Sequence, residues 1–172
     1  MKKIFLFLSV VSLSFASCND DSSKDDVGLP VTPEENNNEE NGKQQALQSK
    51  WEVQSYILEA TKNGSPIPAD EIDTENLVGM TFEFKVGGVL IITEYDTFGS
   101  ESSSITCSYV YNTAKNKIEY TAINPQTGTK YTKTLTVKYL DIHNFNFNTT
   151  EEQKDGKDIY KVSIDLNCET KN

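Results

Sequence analysis

Apolar and polar residues follow three successive patterns along the chain. Ile4 to Phe15 is a run without a charge, and Asn19 to about Ala46 is polar, with no aromatic residue and few aliphatic ones. From Leu47 onward the sequence breaks into short alternating runs separated by turn residues. Alternation with a period of two gives a strand one apolar face, and strands recurring every 8–12 residues or so predict an all-β domain. No stretch sustains the 3.6-residue period of an amphipathic helix.

Eight such runs can be read. Lys50 to Ala60 places Trp51, Val53, Ser55 and Ile57 on one face, and Asn63-Gly64 ends it with a turn. The following segment, Pro66 to Leu77, is the one place for a short helix, expected over Asp70 to Leu77 as a flap across an end of the sheet. Thr81 to Lys85 sets Phe82 and Phe84 together, and Gly87-Gly88 turns it into Val89 to Tyr95. Ile105 to Asn112 aligns Ile105, Cys107, Tyr109 and Tyr111, and Lys117 to Ile123 buries Ile118, Tyr120 and Ala122. Lys130 to Leu140 sets Tyr131, Leu135, Val137 and Tyr139 against threonines, and Ile142 to Thr150 sets Phe145 and Phe147 against asparagines. After the Asp155-Gly156 hairpin, Asp158 to Cys168 points Tyr160, Val162, Ile164, Leu166 and Cys168 one way.

Eight antiparallel strands with short links close into an up-and-down barrel, which leaves no exposed sheet edge. A two-sheet β-sandwich is the alternative. Leu47 to Cys168 resembles the bacterial lipocalin-like lipoproteins. The likeness rests on Leu47-Gln48-Ser49-Lys50-Trp51 in the first strand, a long connection, and Gly79-Met80-Thr81-Phe82-Glu83-Phe84-Lys85 before a Gly-Gly turn and a meander. Ser49 stands where that pattern usually has Gly, and no later Arg is present to cap the Trp.

The N-terminal pattern resembles a bacterial lipoprotein signal peptide: Lys2-Lys3, the apolar run, then Phe15-Ala16-Ser17-Cys18, with Phe15 in place of the usual Leu. The run is too short to span a bilayer, which takes about 20 residues. The resemblance implies cleavage before Cys18, acyl chains on that cysteine and anchoring to the outer membrane without a transmembrane helix. Residues 18–46 would then form a disordered acidic tether and residues 47–172 the barrel domain. The tether carries eight acids against Lys24 and Lys43, cannot bury enough apolar surface to order itself, and reaches roughly 30 Å as a flexible coil. Asn19-Asp20-Asp21 also resembles signals that export some lipoproteins to the cell surface, so a periplasmic and an outward-facing position both stay open.

Charge narrows the function. The formal charge of −10 becomes −12 once Lys2 and Lys3 are removed, and all 16 basic residues are Lys. Without clustered Lys or Arg to displace counterions, nucleic acid is an unfavourable partner. The only histidine, His143, has no nucleophile elbow to accompany it, and no zinc or calcium spacing is present, so no catalytic residue, metal or cofactor is assigned. Two acidic clusters, Asp70-Glu71-Asp73-Glu75 and Glu151-Glu152 with Asp155 and Asp158, read as solvated turns. An oxidising compartment favours a disulfide between Cys107 and Cys168, whereas their places on opposite walls oppose it.

The aromatic residues expected on inward faces are the remaining signal. Trp51, Phe82, Phe84, Tyr109, Tyr111, Tyr120, Phe145 and Phe147 are the candidate ligand-contacting set, with Tyr131 and Tyr160 on the same faces. Eight-stranded barrels are either filled by side chains or hold one small ligand. Two readings follow: an anchored protein binding a small apolar or amphipathic molecule, or a non-catalytic structural or interaction module that docks another envelope protein.

Overall fold

All eight alternating runs form strands, at nearly the expected bounds. The structure, a computed structural model, describes residues 4–6, 37–68, 71–74, 77–96, 99–123 and 128–171. Cys18 and the proposed tether up to residue 36 lie outside the described residues, as do Asp70 and Glu75 of the first acidic cluster.

In chain order the elements are β1 (Ile4–Leu6), α1 (Asn37–Leu47), β2 (Lys50–Lys62), β3 (Ser65–Pro66), β4 (Ile72–Thr74), β5 (Thr81–Lys85) and β6 (Val89–Tyr95). They continue with β7 (Glu101–Asn112), β8 (Lys117–Ile123), β9 (Lys130–Leu140), β10 (Asn144–Asp155) and β11 (Asp158–Thr170). Neighbours in sequence pair antiparallel from β5 through β11. β2 pairs with β5 on one side and β11 on the other. That last ladder closes an eight-stranded up-and-down barrel, consistent with a lipocalin-like architecture, and leaves one continuous sheet rather than the two of a sandwich. The two-residue β3 folds back on the end of β2, and β1 pairs in parallel with β4 outside the barrel.

Two expectations are corrected. The described helix precedes the barrel and is not in the connection between β2 and β5. There, the described residues form β3, a tight turn in which the Glu71 N–H donates to Pro68 O, and β4. The tether is shortened accordingly, because Asn37 to Leu47 is helical. An 11-residue helix with Gly42 inside it is marginal alone, and tertiary docking holds its end. Leu47 is 1% exposed, and its carbonyl accepts the Trp51 indole N–H at 3.0 Å.

Two β-bulges also move side chains between faces. Cys168 pairs with Val53 while Asn167 pairs with Ser55, so Gln54 is extra. Beyond it the inward set becomes Tyr56, Leu58 and Ala60, and Ile57, expected inside, is 62% exposed. Likewise Phe147 pairs with Val137 and Asn146 with Tyr139, so Lys138 is extra and Tyr139 turns outward, 52% exposed. One inserted residue reverses every later assignment on its strand.

Turn chemistry sits where expected. Gly88 has φ +75°, and a Cβ there would stand 2.9 Å from the Tyr109 carbonyl oxygen, so the β5–β6 turn requires glycine.

Candidate functional site

The barrel interior has two parts. The lower end is the one where β2 begins and β11 finishes. Here the strands bring together Trp51, Phe84, Phe145, Phe147, Leu90, Ile118 and Cys168, all at most 2% exposed. The rings stack on one another: Phe145 lies 4.7 Å from Phe147, 5.5 Å from Trp51 and 5.7 Å from Phe84, centroid to centroid. Edge-to-face contacts join Phe82 to Phe147 at 5.2 Å and Phe84 to Tyr109 at 5.1 Å. Such offset and edge geometries suit the ring quadrupoles and add to the area they bury. This end is a solid aromatic plug, and α1 lies against β9 beside it.

Above the plug the inward faces become polar. Glu94 continues the Leu90–Ile92 face of β6, Lys133 the Val137–Leu135 face of β9, and Glu151 the Phe147–Thr149 face of β10. These three side chains and Tyr120 border a pocket floored by Phe82, Leu135, Phe147 and Leu166. Its volume is about 20 Å³ as space for the centres of water-sized molecules. A single water needs about 10–15 Å³ on that measure. Lys133 and Glu151 form an ion pair, with side chains only 18% and 22% exposed, and the Lys133 ammonium also stands 5.9 Å from the Tyr131 ring centroid. Glu94 accepts a hydrogen bond from the Ser103 hydroxyl at 2.7 Å.

Low polarity around the pocket governs its acids. Burial, followed by the fields of Cys107 and Glu151, pushes the Tyr131 hydroxyl up to about 12. Tyr120 is raised further, by burial first and then by Tyr131, Cys107 and Glu151. Burial alone lifts Cys107 to about 11 and Cys168 to about 12. These thiols and phenols stay neutral at pH 7, which withholds the thiolate that nucleophilic cysteine chemistry requires. The hydroxyls of Tyr111 and Tyr131 are buried and have no hydrogen-bond partner among the described residues.

The candidate ligand-contacting residues are thus divided. Phe82, Tyr120 and Phe147 border the pocket, while Trp51, Phe84 and Phe145 are consumed in the plug. Tyr109 packs on Phe84 and donates its hydroxyl to the Lys85 carbonyl at 3.3 Å, and Tyr111 is buried. Cys107 and Cys168 are both free and buried: Cys107 faces the β6 wall beside Leu90, Cys168 the β2 and β10 walls beside Val53 and Phe145. His143 is exposed in the loop before β10, its N–H donated to Asp141 at 2.7 Å.

Strand parity also dissolves the second acidic cluster. Glu151 points inward to Lys133 while the exposed Glu152 points outward, and Asp158 is paired with Lys62 at 2.6 Å and accepts from Asn63 at 2.9 Å. Among the described residues no three His, Cys, Asp or Glu side chains converge as metal ligands. Sequence reading missed Glu94 and Lys133 as interior groups, although Lys133 lies two positions from Tyr131 and Leu135, both expected on the inward face. No family model matches the chain, and neither the curated proteins nor the solved structures compared with it match.

Proposed function

We propose that this protein is a lipid-anchored lipoprotein of the bacterial outer membrane whose barrel is a non-catalytic structural or interaction module, holding its outer surface and loops out to another envelope protein. The observation that carries the non-transporting part of this reading is the filled interior. Pockets that bury a small ligand measure hundreds of Å³, against room here for little more than one water. Membership of the lipocalin-like lipoproteins is part of the same proposal, supported by the barrel and by the residues around Trp51 and Gly79.

The anchoring part rests on Lys2-Lys3, the uncharged run and Phe15-Ala16-Ser17-Cys18. On this reading membrane attachment comes from Cys18 and not from the barrel wall. Most of its apolar strand residues face inward, and the outer faces of β9 and β10 carry Thr132, Thr134, Thr136, Asn146 and Asn148. A barrel that spans a bilayer has the opposite arrangement, apolar outside and polar within. On this reading, cleavage before Cys18 removes β1, and its pairing with β4 belongs to the precursor.

Two measurements test the proposal. Cells expressing the protein are expected to incorporate labelled fatty acid into it, and Cys18→Ala to abolish the label; undiminished labelling refutes the anchor. Native mass spectrometry of protein taken from its own cells is expected to give the mass of the lipidated chain alone. A co-purifying small molecule would return the interior to the ligand-binding reading.

A further inference from the structure

The turns at the two ends of the barrel differ in charge. At the lower end are the β5–β6, β7–β8 and β9–β10 turns, beside α1 and the start of β2. Residues 85–88, 113–117 and 141–143 carry Lys85, Lys115 and Lys117 against Asp141 alone. Lys115 and Lys117 are exposed and form no ion pair among the described residues, while Asp141 is engaged by the Tyr139 hydroxyl and two backbone amides. Even with Glu39 and Glu40 of α1 set against Lys43, lysine stays in excess at this end. At the upper end residues 94–101 hold three carboxylates and no lysine, and residues 151–158 hold four carboxylates against two lysines.

The lower turns are also apolar where turns are ordinarily polar. Val86 is 79% and Ile142 68% exposed, each in one of these turns. With Val110, 71% exposed and two residues from the end of β7, they are the three most exposed large apolar side chains among the described residues. We infer that the lower end lies on the phospholipid surface to which Cys18 fixes the chain, with Val86 and Ile142 entering the headgroup region and Lys85, Lys115 and Lys117 meeting lipid phosphates. That orientation rests on the anchor at Cys18 proposed above. The chain from Cys18 enters the barrel at this end, through α1 and β2, so an anchor there brings these turns to the bilayer first. Apolar tips ringed by lysine suit an interface, because the ammonium groups stay level with the phosphates while the tips pass below them. The same surface repels the acidic upper turns, which leaves them as the face for a protein partner.

An anchor supplied chemically tests the orientation. The chain cleaved before Cys18 is coupled through that thiol to a maleimide lipid, in vesicles of phosphatidylethanolamine and phosphatidylglycerol whose brominated acyl chains quench tryptophan. Cys107 and Cys168 are buried and stay unmodified, and the enclosed Trp51 reports folding and adds a constant background. Val86→Trp and Ile142→Trp are expected to lose emission, and Ile123→Trp, exposed at the upper end, to keep it. Lys115→Gln with Lys117→Gln is expected to restore the emission, weakening the contact about fivefold for each lysine. Equal quenching at the two ends, none at either, or quenching untouched by loss of both lysines overturns the orientation. So does a dimer of the uncoupled chain that Val86→Asp disperses, which assigns the tips to a second copy. With the anchor built in, such results count against the surface alone, whereas absence of fatty-acid label in cells counts against the anchor.

Discussion

The two halves of the barrel share strands and connectivity but differ in what their inward faces carry. In the lower half, rings close on one another and the space is used up. In the upper half the same strands bring a lysine, two glutamates and tyrosine hydroxyls inward. Stability and adaptability are therefore separated along the barrel axis. The plug holds the fold whatever happens at the mouth, and the mouth is free to carry charge because it is not needed for the core.

Mutation sharpens that contrast most strongly at its centre. Phe145→Ala removes a fully buried ring with three aromatic neighbours and is expected to cost about 3–5 kcal/mol in urea unfolding; a loss below about 1 kcal/mol would show that the plug is not the core. Leu47→Ala should cost about 2–4 kcal/mol and free α1, read as faster amide exchange in Asn37–Leu47. Exchange left as it was would mean that the helix is held by something else.

The buried thiol of the plug sets a smaller effect. Because Cys168 titrates near pH 12 when folded and at about 8.5 when unfolded, the unfolded chain releases its proton first. Stability contributed by the neutral thiol is full below about pH 8.5 and declines as pH rises toward 12, by about 2 kcal/mol at pH 10. Cys168→Ala should flatten the fall in unfolding free energy between pH 8.5 and 10, and an equally steep fall would disprove burial as its source. At the mouth, Glu151→Gln should change global stability by less than about 1 kcal/mol. A loss as large as that of Phe145→Ala would erase the distinction between the halves.

The smallest effect lies in the loop joining β9 to β10. Asp141 accepts from the Tyr139 hydroxyl at 2.7 Å and from the N–H groups of His143 and Asn144 at 2.7 and 2.6 Å. The Tyr139 hydroxyl first, then those amides, hold its carboxyl near 2, below the usual range. Its contribution is present above about pH 4 and lost as pH falls toward 2. NMR titration of the carboxyl should find that midpoint, and an ordinary value near 4 would mean that the loop is not closed this way.

Much of this was legible in the chain. The eight strands, the Asn63-Gly64 and Gly87-Gly88 turns, and most of the plug followed from a period of two and from turn chemistry. The bulges at Gln54 and Lys138 did not, because an extra residue shows only against its partner strand. Nor did α1: a polar segment containing Gly42 has little helical preference of its own, and the contact that holds it, Leu47 with the Trp51 indole, is made across the end of the barrel. Lys133 and Glu94 were hidden differently. A charged residue in an alternating run reads as an interruption of the apolar face, and parity places it inside without saying what receives it.

The sequence by itself determined the all-β strand pattern and the signal-like N-terminus, since both depend on local patterns: alternation, turn residues, and a charged, apolar and small-residue order ending at Cys18. Tertiary structure alone decided how the interior is used. Whether aromatic rings surround a cavity or fill it depends on how far opposite walls approach, and no local pattern carries that distance. In this barrel they fill the lower half and leave the upper to a paired lysine and glutamate.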